Sequence, residues 1–138
     1  MNNYRGYIFS RPFLNENYSQ KIQNLVIRDY IKKIKGKYLL SITEYAMKNS
    51  YFAINNYLNS NKNHSNHIVF FSAFMLPMQK SERIMLIEKI LNKGVELHFA
   101  KEDIAIKNYS HIKGLDELFM VKFTLSNCLT NLKKYVDV

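Results

Sequence analysis

A hydroxyl next to an arginine and two glutamates stand at the points of this chain where chemistry could gather. Ser10 and Arg11 follow one short apolar run. Ser41, Thr43, Glu44 and Tyr45 close a second, Ser72 follows a third, and Lys101 and Glu102 follow a fourth. A guanidinium offers a fixed fork of donors to carboxylate or phosphate, so Arg11 beside the Ser10 hydroxyl suits an anionic or hydroxyl-rich ligand. Glu44 and Glu102, if the fold brings them together, could serve as general base and acid, because paired carboxylates shift each other's protonation. On this reading Glu44 and Ser10 are the candidate catalytic residues. Arg11, Thr43, Tyr45, Ser72, Arg28 and Glu102 are the candidate ligand-binding residues. The plainer alternative for any one of them is a strand-ending hydroxyl or a solvated charge.

Other signatures are missing. There is no G-x-G-x-x-G and no G-x-x-x-x-G-K-[ST], which argues against a dinucleotide or nucleoside-triphosphate cradle, and no cofactor is expected. His64 and His67 lie three apart in a polar loop without a nearby carboxylate, so no metal site is expected there or elsewhere. His98 falls in an alternating segment, where a half-buried structural imidazole is the expectation. Cys128 is the only cysteine, which excludes an internal disulfide and reads as a small apolar filler. The ten tyrosines and nine phenylalanines fall mostly at core positions, which disfavours a base-stacking platform.

The elements that must position these residues follow from the apolar periodicity. Arg5 to Phe9 reads as a strand broken by Ser10-Arg11-Pro12. Ile22, Leu25, Val26, Ile27, Tyr30, Ile31 and Ile34 recur at helical spacing between about Asn17 and Lys35, and Gly36 supplies the stop. Tyr38 to Ile42 is a second strand, and Ser50 to Leu58 a second helix. The polar stretch from Asn59 to Asn66 is an exposed loop. His67-Ile68-Val69-Phe70-Phe71 is apolar without alternation, as in a strand covered on both faces, so it belongs at the centre beside the first strand. Ser81 reads as the N-cap of a third helix closed by Gly94. Val95 to Phe99 and Ile104 to Ile106 are strands, and Leu115 to Val136 forms one or two helices.

Alternating strands and helices imply right-handed crossovers. The expected fold is a single α/β domain over residues 1–138: three layers, a mostly parallel sheet of four or five strands, helices on both faces, flavodoxin-like or resolvase-like. Ligands in such sheets collect beyond the carboxyl ends of the strands. A concave polar pocket there would suit a small ligand, whereas a flat edge plugged by Phe13, Phe74 and Met75 would suit an accessory protein. No apolar run reaches the roughly 20 residues of a membrane span, and the amino terminus lacks the apolar core of a secretion signal, so the expected location is cytoplasmic. Twenty Lys and Arg against eleven Asp and Glu leave a net charge of +9. A polyanion would be attracted, but the lysines are scattered among asparagines, as in Asn59-Ser60-Asn61-Lys62-Asn63. Compositional bias is the reading given more weight, with nucleic acid disfavoured.

Two resemblances add to this. Tyr4 to Phe13, Gln23 to Tyr30, Leu39 to Met47 and Gly94 to Ala100 together resemble the sporadic carbohydrate cluster proteins. That likeness implies a setting in bacterial surface-sugar biosynthesis, without a mechanism; the reading built on it is a protein that binds or converts a sugar or sugar phosphate at the strand ends, the alternative a non-catalytic partner of a biosynthetic enzyme, with a homo-oligomer left open. At the level of fold, the chain also resembles the catalytic domain of serine recombinases, with Ser10 and Gln23 at the places of that family's serine and helix glutamine. Ile8 stands where that pattern has an arginine, and Phe74 to Gln79, in place of its Asp-Arg-Leu-x-x-Arg cluster, carries no charge. Without arginines to stabilise a scissile phosphate, this second resemblance implies a domain that does not cleave.

Overall fold

The computed structural model describes residues 1–14, 16–60 and 65–136, with side chains described as far as residue 125. Cys128 and His64 therefore lie outside the described side chains. Five strands, β1 (Asn3–Ile8), β2 (Lys37–Thr43), β3 (His67–Phe70), β4 (Glu96–Phe99) and β5 (Ile104–Ile106), alternate with four helices, α1 (Gln20–Lys33), α2 (Phe52–Asn59), α3 (Lys80–Asn92) and α4 (Ile112–Val136). The sheet order is β2-β1-β3-β4-β5. The first four strands are parallel and β5 is antiparallel to β4. The chain thus has the mostly parallel α/β fold that its sequence implies, with β1 and β3 as interior neighbours.

The apolar pattern explains the layering. Ile68, Val69 and Phe70 of β3 are all buried, because consecutive side chains of a strand point to opposite faces and both faces here are covered. On α1, Gln23, Ile27, Tyr30 and Ile31 are the buried positions, and Ser19 caps the helix by accepting the Ile22 N–H. Tyr30 reaches across to the His98 ring of β4. On the opposite face, Tyr57 of α2 lies under the Arg5 guanidinium of β1, and Lys89 of α3 donates to Asn55 of α2.

Two glycines earn their places by contact. A Cβ on Gly6 would collide with the Ser41 hydroxyl of β2, next to the register irregularity between Arg5 and Tyr7. At the end of α1 the left-handed residue is Lys35 (φ 58°) rather than Gly36, whose hydrogen faces the Tyr4 ring so closely that a methyl would not fit. Gly94 (φ 74°) closes α3 as the sequence implies.

Helix starts are the main departure from the sequence reading. The third helix begins at Lys80 after Gln79, not at a Ser81 cap. Its first turn is tied down by buried Arg83, which donates to the carbonyls of Pro77 (3.2 Å) and Met78 (3.0 Å), pairs with Asp116 of α4 (3.2 Å) and lies over the Phe119 ring. The second helix starts at Phe52, and Tyr51 before it offers no side-chain cap. Glu44, nine residues upstream of Ala53, does that work: its carboxylate accepts the N–H groups of Ala53 (2.8 Å) and Ile54 (3.5 Å) and that of Tyr45 (3.0 Å). It also accepts the Tyr7 hydroxyl at 2.9 Å. A carboxylate at a helix N-terminus meets both the orphan donors and the positive end of the helix dipole.

Glu44→Ala should therefore lower stability by about 2–4 kcal/mol, since the Tyr7 hydroxyl and the α2 donors lose a buried partner. Urea unfolding checks this, and a loss under about 0.5 kcal/mol, the range of an ordinary surface substitution, would contradict the capping role. Gly6→Ala should cost about 1–3 kcal/mol by overpacking β1 against β2. Much of that loss should be recovered when Ser41→Gly is added, as a double-mutant cycle would reveal.

Candidate functional site

The connection from β1 leads to β2 on one side, while β3 lies on the other, so the loops beyond β1 and β3 diverge at the carboxyl edge. A cavity of about 540 Å³ opens at that point, its walls including Phe9, Phe13, Tyr51, Phe74 and Met75, with Arg11 and Lys48 as its cations. It is concave, yet Phe13, Phe74 and Met75 form its walls rather than a plug, and most of its lining is apolar.

Arg11 is the expected ligand-binding residue that lines this cavity. Its guanidinium lies 4.0 Å from the Phe9 ring centroid and 5.2 Å from that of Tyr51, and donates to the Tyr45 carbonyl at 3.0 Å. Aromatic faces hold the cation in place while leaving N–H groups for an anion. Tyr51 in turn donates to the Met75 carbonyl at 2.6 Å, joining the loops after β2 and β3. Burial pushes the Tyr51 hydroxyl up to about 12, against the pull of Arg11, so it remains a donor at neutral pH.

Ser10 is exposed at the end of β1, and its hydroxyl donates to the Glu44 carbonyl at 3.1 Å. The backbone before it is held by buried Gln23: the amide oxygen accepts the Phe9 N–H (2.9 Å), and the amide nitrogen donates to the carbonyls of Phe9 (2.8 Å) and Tyr18 (3.0 Å). Residue reading alone gave Gln23 no role; only the family resemblance pointed to it. Its mark in the sequence is a polar residue on the apolar stripe of α1.

The remaining expected site residues are placed otherwise. Glu44 is 1% exposed, and its oxygens serve α2 and Tyr7, so it is a structural cap and not a base open to a ligand. Burial, then the Glu44 carboxylate beside it, push the Tyr7 hydroxyl far up, which keeps it a donor to that carboxylate. Glu102 accepts the Ser72 hydroxyl (2.9 Å) and the Ala73 N–H (2.5 Å), closing the turn after β3. Glu44 and Glu102 are not shown as a pair: β1 and β3 separate the strands they follow, and each carboxylate is taken up by its own donors. Ser72 is buried with no face toward solvent. Thr43 and Tyr45 are exposed, Tyr45 leaning on Phe52. Arg28 lies over the Tyr38 ring at the start of β2, away from the carboxyl edge. Lys101 donates to Tyr18 (2.8 Å) and pairs with Glu16 (3.4 Å).

A grouping that sequence distance concealed sits at the opposite end of the sheet. His67 opens β3, Glu96 opens β4 in register with it, and His98 follows two residues later on the same face. Their ring nitrogens and carboxylate face one another. Burial, then the neighbouring His67, hold His98 down to about 4, so its ring is neutral at pH 7. The signal available in the sequence was the Glu96-x-His98 alternation within a strand.

No family model matches the chain, and no curated protein matches it, so the expected kinship with sporadic carbohydrate cluster proteins gains no support. Solved structures do match. A resolvase family site-specific recombinase from Streptococcus pneumoniae is 14% identical over 94% of this chain and 98% of its own, with a TM-score of 0.62. The N-terminal catalytic domain of TP901-1 integrase is 12% identical over 88% of this chain and 98% of its own, again with a TM-score of 0.62. At these identities the likeness establishes the fold, and this chain has the α/β architecture of resolvase-type catalytic domains.

Proposed function

We propose that this chain is a resolvase-like domain that binds a nucleic-acid backbone at the carboxyl edge of its sheet without cutting it. The observation that carries this reading is the pairing of exposed Ser10 with half-buried Arg11 beyond the end of β1, on a fold shared with site-specific recombinases. Arg11 and Lys48 offer donors to phosphate oxygens there, and the net charge of +9 supplies the long-range attraction. This reverses the weight that composition gave, where nucleic acid was disfavoured.

Loss of cleavage follows from what surrounds the serine. Ile8 is 2% exposed in the core, where the recombinase pattern has an arginine, and the stretch Phe74 to Gln79 is uncharged. Glu44, whose backbone carbonyl accepts the Ser10 hydroxyl, uses its carboxylate to cap α2. Among the described residues the Ser10 hydroxyl meets a carbonyl and no carboxylate or imidazole, and the cations beside it are Arg11 and Lys48 rather than the arginine cluster of the recombinase pattern, too few to stabilise a pentavalent phosphate.

A second reading is favoured by the cavity itself. Its volume of about 540 Å³, its aromatic walls and two cations would admit a sugar phosphate or nucleotide sugar. Such a ligand at a hundred times its dissociation constant should stabilise the fold by roughly 2.7 kcal/mol, which a thermal-shift series detects. No helix of the described residues is long and apolar enough to cross a membrane.

Fluorescence anisotropy with labelled single-stranded and duplex oligonucleotides separates the two readings. Binding should weaken steeply as salt rises from about 50 to 200 mM, and Arg11→Ala with Lys48→Ala should reduce the log–log slope by about 2, near one per phosphate contact. Denaturing gels should find the strands intact. No binding at about 50 mM salt, or a slope indifferent to both substitutions, would overturn the nucleic-acid reading; stabilisation by nucleotide sugars alone would establish the second.

A further inference from the structure

We propose that His67, Glu96 and His98 form a binding site for a divalent transition metal, zinc by their donor set, at the amino ends of β3 and β4. Two imidazoles and one carboxylate are a recurrent zinc ligand set, usually completed by water. The site is separate from the carboxyl edge, since His67 and Glu96 are the first residues of their strands whereas Ser10 and Arg11 lie beyond the end of β1.

The geometry carries the proposal. Metal bonds of about 2.0–2.1 Å at tetrahedral angles place neighbouring ligand atoms roughly 3.3 Å apart. Nδ1 of His67 lies 3.1 Å from Nε2 of His98 and 3.2 Å from Oε2 of Glu96, and the third edge, His98 to Glu96, measures 3.7 Å. Three donor atoms therefore already occupy one face of a coordination tetrahedron.

The surroundings are those of a ligand set held ready. The outer nitrogen of His98, Nδ1, meets the Tyr30 hydroxyl at 2.8 Å, the kind of partner that fixes the orientation of a ligating imidazole. The His67 ring stacks on Tyr4 at 4.4 Å. Parallel register sets His67 directly opposite Glu96, and the two-residue strand period puts His98 on that same face, so backbone pairing alone brings all three together. Both histidine side chains are largely buried, while the Glu96 side chain is 36% exposed. Glu96 thus forms the cluster's solvent-facing edge, from which water could complete the coordination. The expectation of no metal rested on His64 with His67; the fold gives His67 different company.

The test uses the full chain, loaded with zinc, dialysed against metal-free buffer and assayed by elemental analysis, with affinity from competition against a chromophoric chelator. One zinc per chain is expected, and cobalt substitution should give the intense visible absorption of a four- or five-coordinate site. Glu96→Gln and His67→Asn should each weaken binding at least tenfold with the circular dichroism spectrum unchanged. His98 is buried against α1, so it is left in place and Tyr30→Phe is made instead, which should weaken binding about 10–100-fold through the ligand's outer hydrogen bond. Failure to retain zinc, or equal retention by the wild type and the Glu96→Gln, His67→Asn double variant, would overturn the proposal.

Discussion

The carboxyl edge of the sheet depends on one constraint: backbone N–H groups outside the strand ladders and helix turns must find acceptors, and here buried or half-buried side chains supply them. Gln23 takes the N–H of Phe9, Glu44 that of Ala53, and Glu102 that of Ala73. An unpaired buried donor costs a large part of a small domain's net stability. Each acceptor also ties together elements distant in the chain: α1 to the end of β1, the end of β2 to the start of α2, and the loop after β4 to the turn after β3. The three loops around the cavity owe their course to these bonds. With Glu44 and Glu102 so engaged, Arg11, Lys48 and Asn49 are among the polar residues that line the cavity, and the exposed Ser10 lies next to Arg11 in the chain.

That division of labour bears on the proposed reading of the site. The resemblance to serine recombinases drawn from the sequence matched Ser10 and Gln23 to that family's serine and helix glutamine. Gln23 here clamps the backbone just before Ser10, and the hydroxyl of Ser10 leans on a carbonyl. Ile8 belongs to the core and Arg11 rests on Phe9 and Tyr51. Under the proposed reading, Arg11 and Lys48 would grip a phosphate, while the uncharged Phe74 to Gln79 stretch supplies no further cation for charge that develops during phosphoryl transfer.

The order of strands and helices was legible because their periodicities differ. The unbroken apolar run at Ile68 to Phe71 marked a central strand, and the stripe from Ile22 to Ile34 marked α1. What the residues do at their tips was not legible. A glutamate just past a strand carries no sign of whether it faces a crevice or turns back to a helix N-terminus, and Glu44 and Glu102 both turn back. Arg28 was read as a ligand-binding residue, yet its helix runs back toward the start of β2, so it faces Tyr38 at the other end of the sheet. His67 and His98 are 31 residues apart and meet only through strand register, which local spacing cannot reveal. Ser81 looked like a cap because serine favours that position, whereas Arg83, reaching back to the Pro77 and Met78 carbonyls, brings the helix start forward to Lys80.

The most direct measurement of this account is amide hydrogen exchange at Phe9, Ala53 and Ala73. None of the three donates to a carbonyl within a strand ladder or a helix turn; each donates to a side chain. If buried side-chain acceptors organise the edge, these amides should exchange as slowly as those of central β3, and Glu44→Ala should release Ala53 while leaving Phe9 protected. Rapid exchange of all three in the native chain, at the rate of exposed loop amides, would contradict the account.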